Sequence, residues 1–545
     1  MAIRILLLVA LVVVSPFLAI SSSQPKRPNF VVLISDDTRF FNLTPDAVGK
    51  PSSYAAVNVS TESLLPNLLR LAKNGVFFTN AHAQMALCSP SRASLFTGLR
   101  PDTTKLYYVH TKMRSAQVKG GLETIAEGLK NSGYETFAYG KALDPRSTAG
   151  NTQDYPRSWS EPVFALPGQV WEPNATATNC GYSGDRLIEP SKNLTPFAQC
   201  LIDDLANPKQ AFGKRIALMD EIHANRALEK IDSLAERHGQ DPNDTAPFFL
   251  VWGSFRPHLP FVVPQHHYAR FNRSNFPFQW GINSKRDSVF NRGVSRNSEP
   301  ASFSGWKVYA RGQIFPTPAV HSQFVHGYYA ACSYVDELIG MLVDRVRSHK
   351  SLVNNTIFII LSDHGFHLGE HQFYAKHTVY ESATGVPLLF FGPEKYLPVQ
   401  NRVIHTPVEL LDIAPTVYEL AGLPPRLSHD GESLVPLLRP KNPVQRVKTI
   451  AMSQYYGLLG LRNLLMIYSM RGDRYRYVVH TCRRRKIVLN QELYDYVTDP
   501  MEKRDIKKMP STAKVLARFR WLIQKSLKDP KGYKVAIAMN NTMIV

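Results

Sequence analysis

The sequence predicts an α/β fold with a large mixed, mostly parallel central sheet flanked by helices. A smaller C-terminal α/β subdomain is expected to carry an antiparallel sheet. Three observations predict this. Short apolar runs end in polar residues, segments with helical spacing lie between them, and the pattern changes after Arg439-Pro440-Lys441-Asn442-Pro443. Continuous rather than alternating apolar runs fit strands buried on both faces, as in a parallel sheet. Alternation of such strands with helices implies that sheet class.

The strands are expected at five places. Residues 30–34 run into Ser35-Asp36-Asp37, and residues 136–139 into Gly140-Lys141. Residues 247–252 lead toward Arg256-Pro257-His258, residues 356–361 into Ser362-Asp363-His364-Gly365, and residues 387–391 into Gly392. Between them, residues 64–73, 122–131, 220–236 and 323–347 space their apolar side chains as helices do. In the last, Tyr328, Val335, Leu338 and Leu342 approximate one face. Ligands in such folds gather at the carboxyl ends of strands, and the polar residues named above sit at those ends. Residues 149–208 and 271–318 are irregular and read as surface insertions or walls of a cleft. Residues 468–471, 475–479 and 486–489 suggest the smaller antiparallel sheet. The expected division is a signal peptide at 1–23, a catalytic domain at 24–440 and a C-terminal subdomain at 441–545.

A length of 545 residues suits one large α/β domain plus a smaller one, and 44% hydrophobic with 20% charged residues excludes a disordered chain. Arg4, an apolar run over residues 5–14, Ser15-Pro16 and the small residues Ala19, Ser21 and Ser22 read as a secretory signal peptide. A signal anchor is the runner-up, but the run is short of the roughly 20 residues that a span needs, so no stable membrane insertion is expected. Asn-x-Ser/Thr acceptors at Asn42, Asn58, Asn174, Asn193, Asn243, Asn272, Asn354 and Asn540 agree with a secretory route. The formal net charge of +20 suits a polyanion: nucleic acid, a membrane surface or a sulfated glycan. Secretion excludes nucleic acid as the partner. Of the five cysteines, Cys180 and Cys200 flank a polar segment and are candidates for a local disulfide. Cys332 reads as a buried thiol, and Cys482 has no obvious partner.

The candidate chemistry starts at the strand ends. The adjacent carboxylates Asp36 and Asp37 repel each other unless a cation neutralises them. Alone, such a pair is more often a solvated turn or cap than a metal ligand. Asp363-His364 offers a second ligand pair, and oxygen-rich ligation favours Ca²⁺ or Mg²⁺. The most constrained stretch is Cys88-Ser89-Pro90-Ser91-Arg92-Ala93-Ser94-Leu95-Phe96-Thr97-Gly98. A lone Cys-x-Pro would read as a small apolar residue at a helix start.

That stretch resembles the signature Cys-x-Pro-Ser-Arg-x-x-x-Leu/Phe-Thr-Gly of the type I, formylglycine-dependent sulfatases. The resemblance implies an alkaline-phosphatase-like fold. It implies that a formylglycine-generating enzyme oxidises Cys88 during maturation, and that the hydrated aldehyde attacks the sulfur of a sulfate ester. It implies one Ca²⁺, held by Asp36, Asp37, Cys88, Asp363 and His364. Arg92 is then expected to orient the attacking hydroxyl, Lys141 and Lys376 to bind sulfate oxygens, and His258 to protonate the leaving sugar oxygen. Pro90 suits a first helical turn whose N-terminus points at the anion.

Within the family, residues 29 to about 505 resemble the iduronate 2-sulfatase branch. The residues that carry this are Arg100-Pro101-Asp102-Thr103-Thr104, Arg256-Pro257-His258-Leu259-Pro260-Phe261, Leu368-Gly369-Glu370-His371 and Ala375-Lys376. The stretch 493–502 resembles a C-terminal element shared by many sulfatases. One departure matters: the branch has Gly-Lys-x-x-His-Pro, whereas here Gly140-Lys141-Ala142-Leu143 is followed by Asp144-Pro145. Asp144 is a candidate catalytic base, able to stay near sulfate only if protonated or paired with Lys141. The expected activity is exo-removal of the 2-sulfate of iduronate in heparan or dermatan sulfate, in the lysosome or outside the cell. Another sulfate ester, of glucosamine or of an aryl alcohol, and a catalytically impaired glycosaminoglycan-binding homologue are the alternatives. A uronate carboxylate beside the sulfate calls for a further cation, with Lys112, Arg114, Arg462, Arg471 and Arg474 as candidates. The cluster Arg483-Arg484-Arg485-Lys486 either holds more of the polymer or is an exposed basic turn.

Overall fold

A computed structural model describes residues 27–44, 57, 59–116, 118, 121–148, 152–165, 182–183, 186–187, 201–202, 218–241, 246–259, 261, 263–277, 318–424, 426, 428–440, 446–459, 463–482 and 487–528. Outside them lie the expected signal peptide, Cys180 and Cys200, Arg462, the basic cluster at 483–486 and five of the eight Asn-x-Ser/Thr acceptors. Of the other three acceptors, Asn272 and Asn354 are exposed and Asn42 is half-buried.

The centre is an eight-stranded sheet. Its strands are β1 (Asn29–Asp36), β2 (Val76–His82), β3 (Glu135–Gly140), β4 (Phe248–Pro257), β5 (Thr356–Ser362), β6 (Gly385–Phe391), β7 (Arg402–Ile404) and β8 (Val408–Glu409). The spatial order is β7-β2-β6-β5-β1-β4-β3, with β8 also paired to β2. The pairs β5-β1, β1-β4 and β4-β3 are parallel, whereas β6 runs antiparallel to both β2 and β5. Two reversals across β6 return β2 to the direction of β5. The carboxyl ends of β1, β2, β3, β4 and β5 therefore lie on one edge.

Every residue of β1 is buried, as its unbroken apolar run requires. Its side chains alternate between two cores: Val31 and Leu33 enter one, and Phe30, Val32 and Ile34 the other. The expected helix at 64–73 forms as two short pieces, Thr61–Leu64 and Pro66–Ala72. Pro66 is the reason: it lacks an N–H and is tolerated at a helix start but not inside. The expected helices at 122–131, 220–236 and 323–347 appear as Ile125–Asn131, Met219–Gln240 and Pro318–Ser348. The sequence pattern does not reveal strand β2. It is short, and its Thr79 and Asn80 interrupt the apolar run. Cys332 and Cys482 are buried free thiols. Among the described residues, no helix is long and apolar enough to cross a membrane.

After residue 450, strands β9 (Ala451–Leu459), β10 (Asn463–Arg471), β11 (Tyr475–Cys482) and β12 (Ile487–Asp495) form an antiparallel sheet in sequence order. A final helix, Ala513–Lys528, packs Phe519 against Tyr477 of β11. Sequence patterning had missed β9 and this helix. The third core joins this sheet to the rest: Met85, Leu87, Tyr107, Phe373 and Tyr380 pack with Met452, Tyr455, Met466 and Tyr468. Buried polar groups cross the same seam. Arg100 forks onto Glu409 at 2.6 and 2.8 Å, while Lys448 reaches Glu409 at 2.6 Å and Asp412 at 2.5 Å. Burial opposes the charge on Glu409, but Arg100 and Lys448 outweigh it and hold the carboxyl at about 2. Removing one partner of such a network leaves an uncompensated buried charge.

Lys448→Met should therefore destabilise the protein by about 3–5 kcal/mol, measured by urea denaturation at neutral pH. The pH dependence has a definite sign. A carboxyl depressed on folding stabilises above its unfolded value and loses that contribution as pH falls through its folded value. The stability difference between wild type and Glu409→Gln should hold above the ordinary carboxyl value of 4.5 and shrink as pH falls toward about 2.

Candidate active site

Four of the five expected strand ends, those of β1, β3, β4 and β5, meet at the shared edge of the sheet, whereas the reversed β6 carries Gly392 to the opposite edge. Asp36 ends β1, and Asp37 follows with a left-handed backbone (φ 74°). A non-glycine residue in that region stores strain and is characteristic of functional sites. Here the conformation is held from several sides. The Asp37 N–H donates to Asp363 Oδ1 at 3.1 Å, the Asp37 carbonyl accepts from the Tyr328 hydroxyl at 2.7 Å, and Thr38 N–H donates to Ser362 Oγ at 2.8 Å. That tyrosine hydroxyl also accepts from Arg39 N–H at 2.9 Å.

Cys88 is the first residue of the helix Cys88–Thr97, which follows β2 and is buried at every position. Gly98 ends the helix in a left-handed turn (φ 66°), where a side chain would strike His429. Arg92 lies one turn beyond Cys88 and thus on the same face. Its Nε donates to Asp363 Oδ2 at 2.9 Å, its Nη2 lies 3.5 Å from Asp36 Oδ1, and its Nη1 bonds the carbonyls of Lys141 and Ala142. Ser91 Oγ donates to the Asp363 carbonyl. The spacing of the signature thus places two side chains of one helical turn on the Asp363 loop.

Lys141 follows Gly140, whose left-handed turn (φ 67°) brings the chain so close to β4 that a Cβ would sit 2.2 Å from the Gly253 carbonyl oxygen. Lys141 Nζ reaches Asp36 Oδ2 at 2.5 Å. Lys376 arrives on a loop with Ala375 and His377 in left-handed conformations on either side. It lies 2.8 and 2.9 Å from the two Asp37 oxygens and 3.5 Å from Cys88 Sγ. His364 donates Nδ1–H to the Gly365 carbonyl at 3.0 Å, which directs Nε2 to Cys88 Sγ at 3.4 Å and Asp37 Oδ1 at 3.3 Å. His258 likewise donates Nδ1–H to the Leu259 carbonyl, at 2.7 Å.

The ligand atoms of Asp36, Asp37, Cys88 and His258 lie within 4.8 Å of one another, as do those of Asp36, Cys88, Asp363 and His364. Every one of these residues is buried. Burial opposes ionisation of Asp36, but Lys141, Arg92, His258 and Lys376 outweigh it and hold the carboxyl well below its usual range. Burial and the neighbouring Asp36 push Asp363 up. Burial likewise raises the Cys88 thiol, with Asp36 adding to it, so the unmodified side chain is a neutral thiol rather than a thiolate nucleophile. In formal charge, the three carboxylates of Asp36, Asp37 and Asp363 balance the three cationic side chains of Arg92, Lys141 and Lys376 that pair with them. The donor set is carboxylate oxygen with one or two imidazoles, and its atoms already converge. It fits a hard divalent cation, which would turn this neutral cluster into one that attracts anions.

Asp144 takes neither of the two routes expected for a base beside sulfate, protonation or pairing with Lys141. It is fully buried and caps the short turn Pro145–Ser147, and its carboxylate pairs with Arg146: Nε to Oδ1 at 3.0 Å and Nη2 to Oδ2 at 2.7 Å. Burial opposes its charge, but the Arg146 hydrogen bonds and then Lys141 keep its carboxyl below the usual value. A carboxylate committed in this way is a weak base. Glu370 and His371 also lie outside the cluster, pairing with Arg39 at 2.6 Å and Glu502 at 3.7 Å. Tyr328, Arg39, Ser91 and Arg146 had not been singled out in the sequence. Tyr328 was visible only as an apolar position of a helix face.

Tyr328→Phe should destabilise the protein by about 1–3 kcal/mol, because a buried carbonyl and N–H both lose their partner. A wild-type urea midpoint for this variant would remove the hydroxyl from the support of Asp37.

Comparison with known proteins agrees with this geometry. The family profile described as Sulfatase matches residues 28–423, and a profile described as N-sulphoglucosamine sulphohydrolase, C-terminal, matches residues 369–529. The chain is 29% identical over 476 residues to iduronate 2-sulfatase of Homo sapiens, covering 76% of this chain and 80% of that one. It is 25% identical over 534 residues to a Delta 4,5-hexuronate-2-O-sulfatase of Bacteroides thetaiotaomicron, covering 94% and 92%. Among solved structures, a phosphonate monoester hydrolase of Agrobacterium radiobacter superposes with a TM-score of 0.67 at 21% identity, over 93% of this chain and 96% of that one, a likeness of fold. Because the Sulfatase profile spans well over half of the sequence and ends beyond the last strand of the central sheet, the chain belongs to the sulfatase family.

Proposed function

We propose that this protein is a metal-dependent sulfatase that uses a formylglycine made from Cys88 to remove the 2-sulfate of terminal iduronate in heparan or dermatan sulfate. The observation that carries the reading is the convergence of Cys88 with Asp36, Asp37, Asp363, His364, His258 and Lys376 in one buried cluster. Asp36, Asp37, Asp363 and His364, with the side chain at position 88, would hold a divalent ion that suits the oxygen-rich donor set, Ca²⁺ by the family resemblance. When bound, such an ion polarises a sulfate oxygen and acidifies a neighbouring hydroxyl. The hydrated aldehyde at position 88 supplies that hydroxyl.

The chain's own side chains do the rest. Arg92 fixes Asp363 and the 141–142 backbone, so the ligand oxygens keep their positions. Lys141 and Lys376 stand over the carboxylates and bind the sulfate oxygens, countering charge that develops as the ester bond breaks. His258, with Nδ1–H held by a carbonyl, delivers the Nε2 proton of its imidazolium form to the leaving sugar oxygen and is left neutral. Cys88 is 1% exposed on a wholly buried helix, so its oxidation precedes completion of the fold. Both 2-O-sulfatase relatives act, by their names, on a uronate position, which supports the 2-sulfate over an aryl ester. The match of the C-terminal region to an N-sulphoglucosamine sulphohydrolase profile supports a glucosamine sulfate as the second reading. The charge of +20 suits a polyanionic glycan, and the exposed acceptors Asn272 and Asn354 suit a glycoprotein of the secretory route, lysosomal or secreted.

The test is sulfate release from a terminal iduronate 2-sulfate disaccharide at acidic pH, alongside glucosamine and aryl sulfates. The protein should be secreted from cells that make formylglycine, with conversion at position 88 checked by mass spectrometry. Release from the disaccharide is expected, and fully converted protein that cleaves only another ester would overturn the specificity. Cys88→Ala should lose at least about a thousandfold in kcat while remaining folded. Dialysis against a chelator should abolish turnover, and Ca²⁺ should restore it; full activity after chelation would sink the metal site.

A further inference from the structure

A sulfate ester on a uronate carries two anions, and the cluster around Cys88 accounts for one of them. Of the cations expected from the sequence to meet the second, Arg462 lies outside the described residues and the other four are committed elsewhere. Lys112 Nζ donates to the carbonyls of Arg146 and Thr148 at 3.0 and 2.8 Å. Arg114 is shared among Asp154, Glu127 and the Leu122 carbonyl. Arg471 lies over the Tyr496 ring and bonds the carbonyls of Gly472 and Asp473, and Arg474 forks onto Asp495 at 2.9 and 2.6 Å.

Arg146 is arranged differently. Its Nε and Nη2 form one edge of the guanidinium, and both are taken by the fully buried Asp144. Nη1, on the opposite edge, has no hydrogen-bond partner among the described residues, and 32% of the side chain is exposed. A guanidinium gripped along one edge presents the other in a fixed direction. Its location is also fixed. Asp144 follows directly on the 141–142 backbone that Arg92 holds, and Lys112 pins the carbonyl of Arg146 itself. The guanidinium lies within electrostatic reach of the Asp36 carboxylate. Asp144 occupies the place of the histidine in the resembling branch, and Arg146 follows two residues later.

We propose that Arg146, gripped by Asp144, is a specificity-determining residue of this site: its free edge binds a carboxylate carried by the sulfate ester, as on a 2-sulfated uronate. The inference deepens, and rests on, the reading of the site as a glycan sulfatase. Asp144 is then a positioning residue rather than a base, and its ionised state serves the guanidinium rather than proton transfer.

Binding can be separated from turnover in a Cys88→Ala background, using calorimetry with iduronate 2-sulfate and its carboxyl-reduced counterpart. With Arg146 present, the carboxylate ligand should bind more tightly than the reduced one. Arg146→Gln should lower that preference by about tenfold or more, Arg146→Lys by less, and Asp144→Asn should lower it while leaving the charge at position 146 in place. An unchanged preference, an equal loss for both ligands, or no binding of either to the parent would overturn the proposal. Sulfate release by the converted wild-type protein reports on the proposed function separately, so a chain that prefers the carboxylate yet cleaves another ester would fail that reading alone.

Discussion

Three buried carboxylates at the ends of two adjacent strands are the constraint from which the rest of the site follows. Asp36, Asp37 and Asp363 are each fully buried, and none could stay ionised there without cations within hydrogen-bond reach. Arg92, Lys141 and Lys376 meet that need from three different segments. Each must come in at a defined angle, and the local backbone is shaped accordingly. Asp37, Ala375 and His377 adopt left-handed conformations, and Gly140 is tolerated because a side chain there would collide with β4. The strain sits where the chemistry is and is held by the surrounding packing.

The supporting layer is almost as polar as the site. Tyr328 reaches in from the long helix Pro318–Ser348 to hold both the Asp37 carbonyl and the Arg39 N–H, and Arg39 in turn neutralises Glu370. Farther out, Arg100, Glu409, Asp412 and Lys448 join the central sheet to the C-terminal sheet through charges that water does not reach. Asp102, next to that network, accepts from Tyr468 and Gln454 of the C-terminal sheet. Motif residues that look functional in sequence, such as Arg100, Asp102 and Glu370, prove to be the joints that hold the site in register.

The strand ends were legible in the sequence because the apolar runs stop at residues that no buried strand would otherwise carry. Residues 30–34 before Asp36-Asp37 and residues 356–361 before Asp363-His364 are plain cases. The signature around Cys88 was legible through its resemblance to the family motif, and the fold puts Cys88 and Arg92 one helical turn apart. Less visible were β2, whose polar Thr79 and Asn80 break its run, and β9, which gains its partners only from β10 and the seam below. The direction of β6 was not readable at all. Its run resembles the parallel strands beside it, and only the pairing shows that it is reversed.

The sequence by itself determined which residue types are available and which of them follow a buried strand or open a helix. Those properties are local: they depend on periodicity and on short-range spacing. Tertiary structure alone decided which charge meets which. Asp144 lies three residues from Lys141 and could have paired with it, yet Lys141 extends to Asp36, 105 residues away, and Asp144 closes on Arg146. The physical reason is that a carboxylate's partner is set by direction and burial, and both are fixed only when strands distant in the chain come to lie side by side.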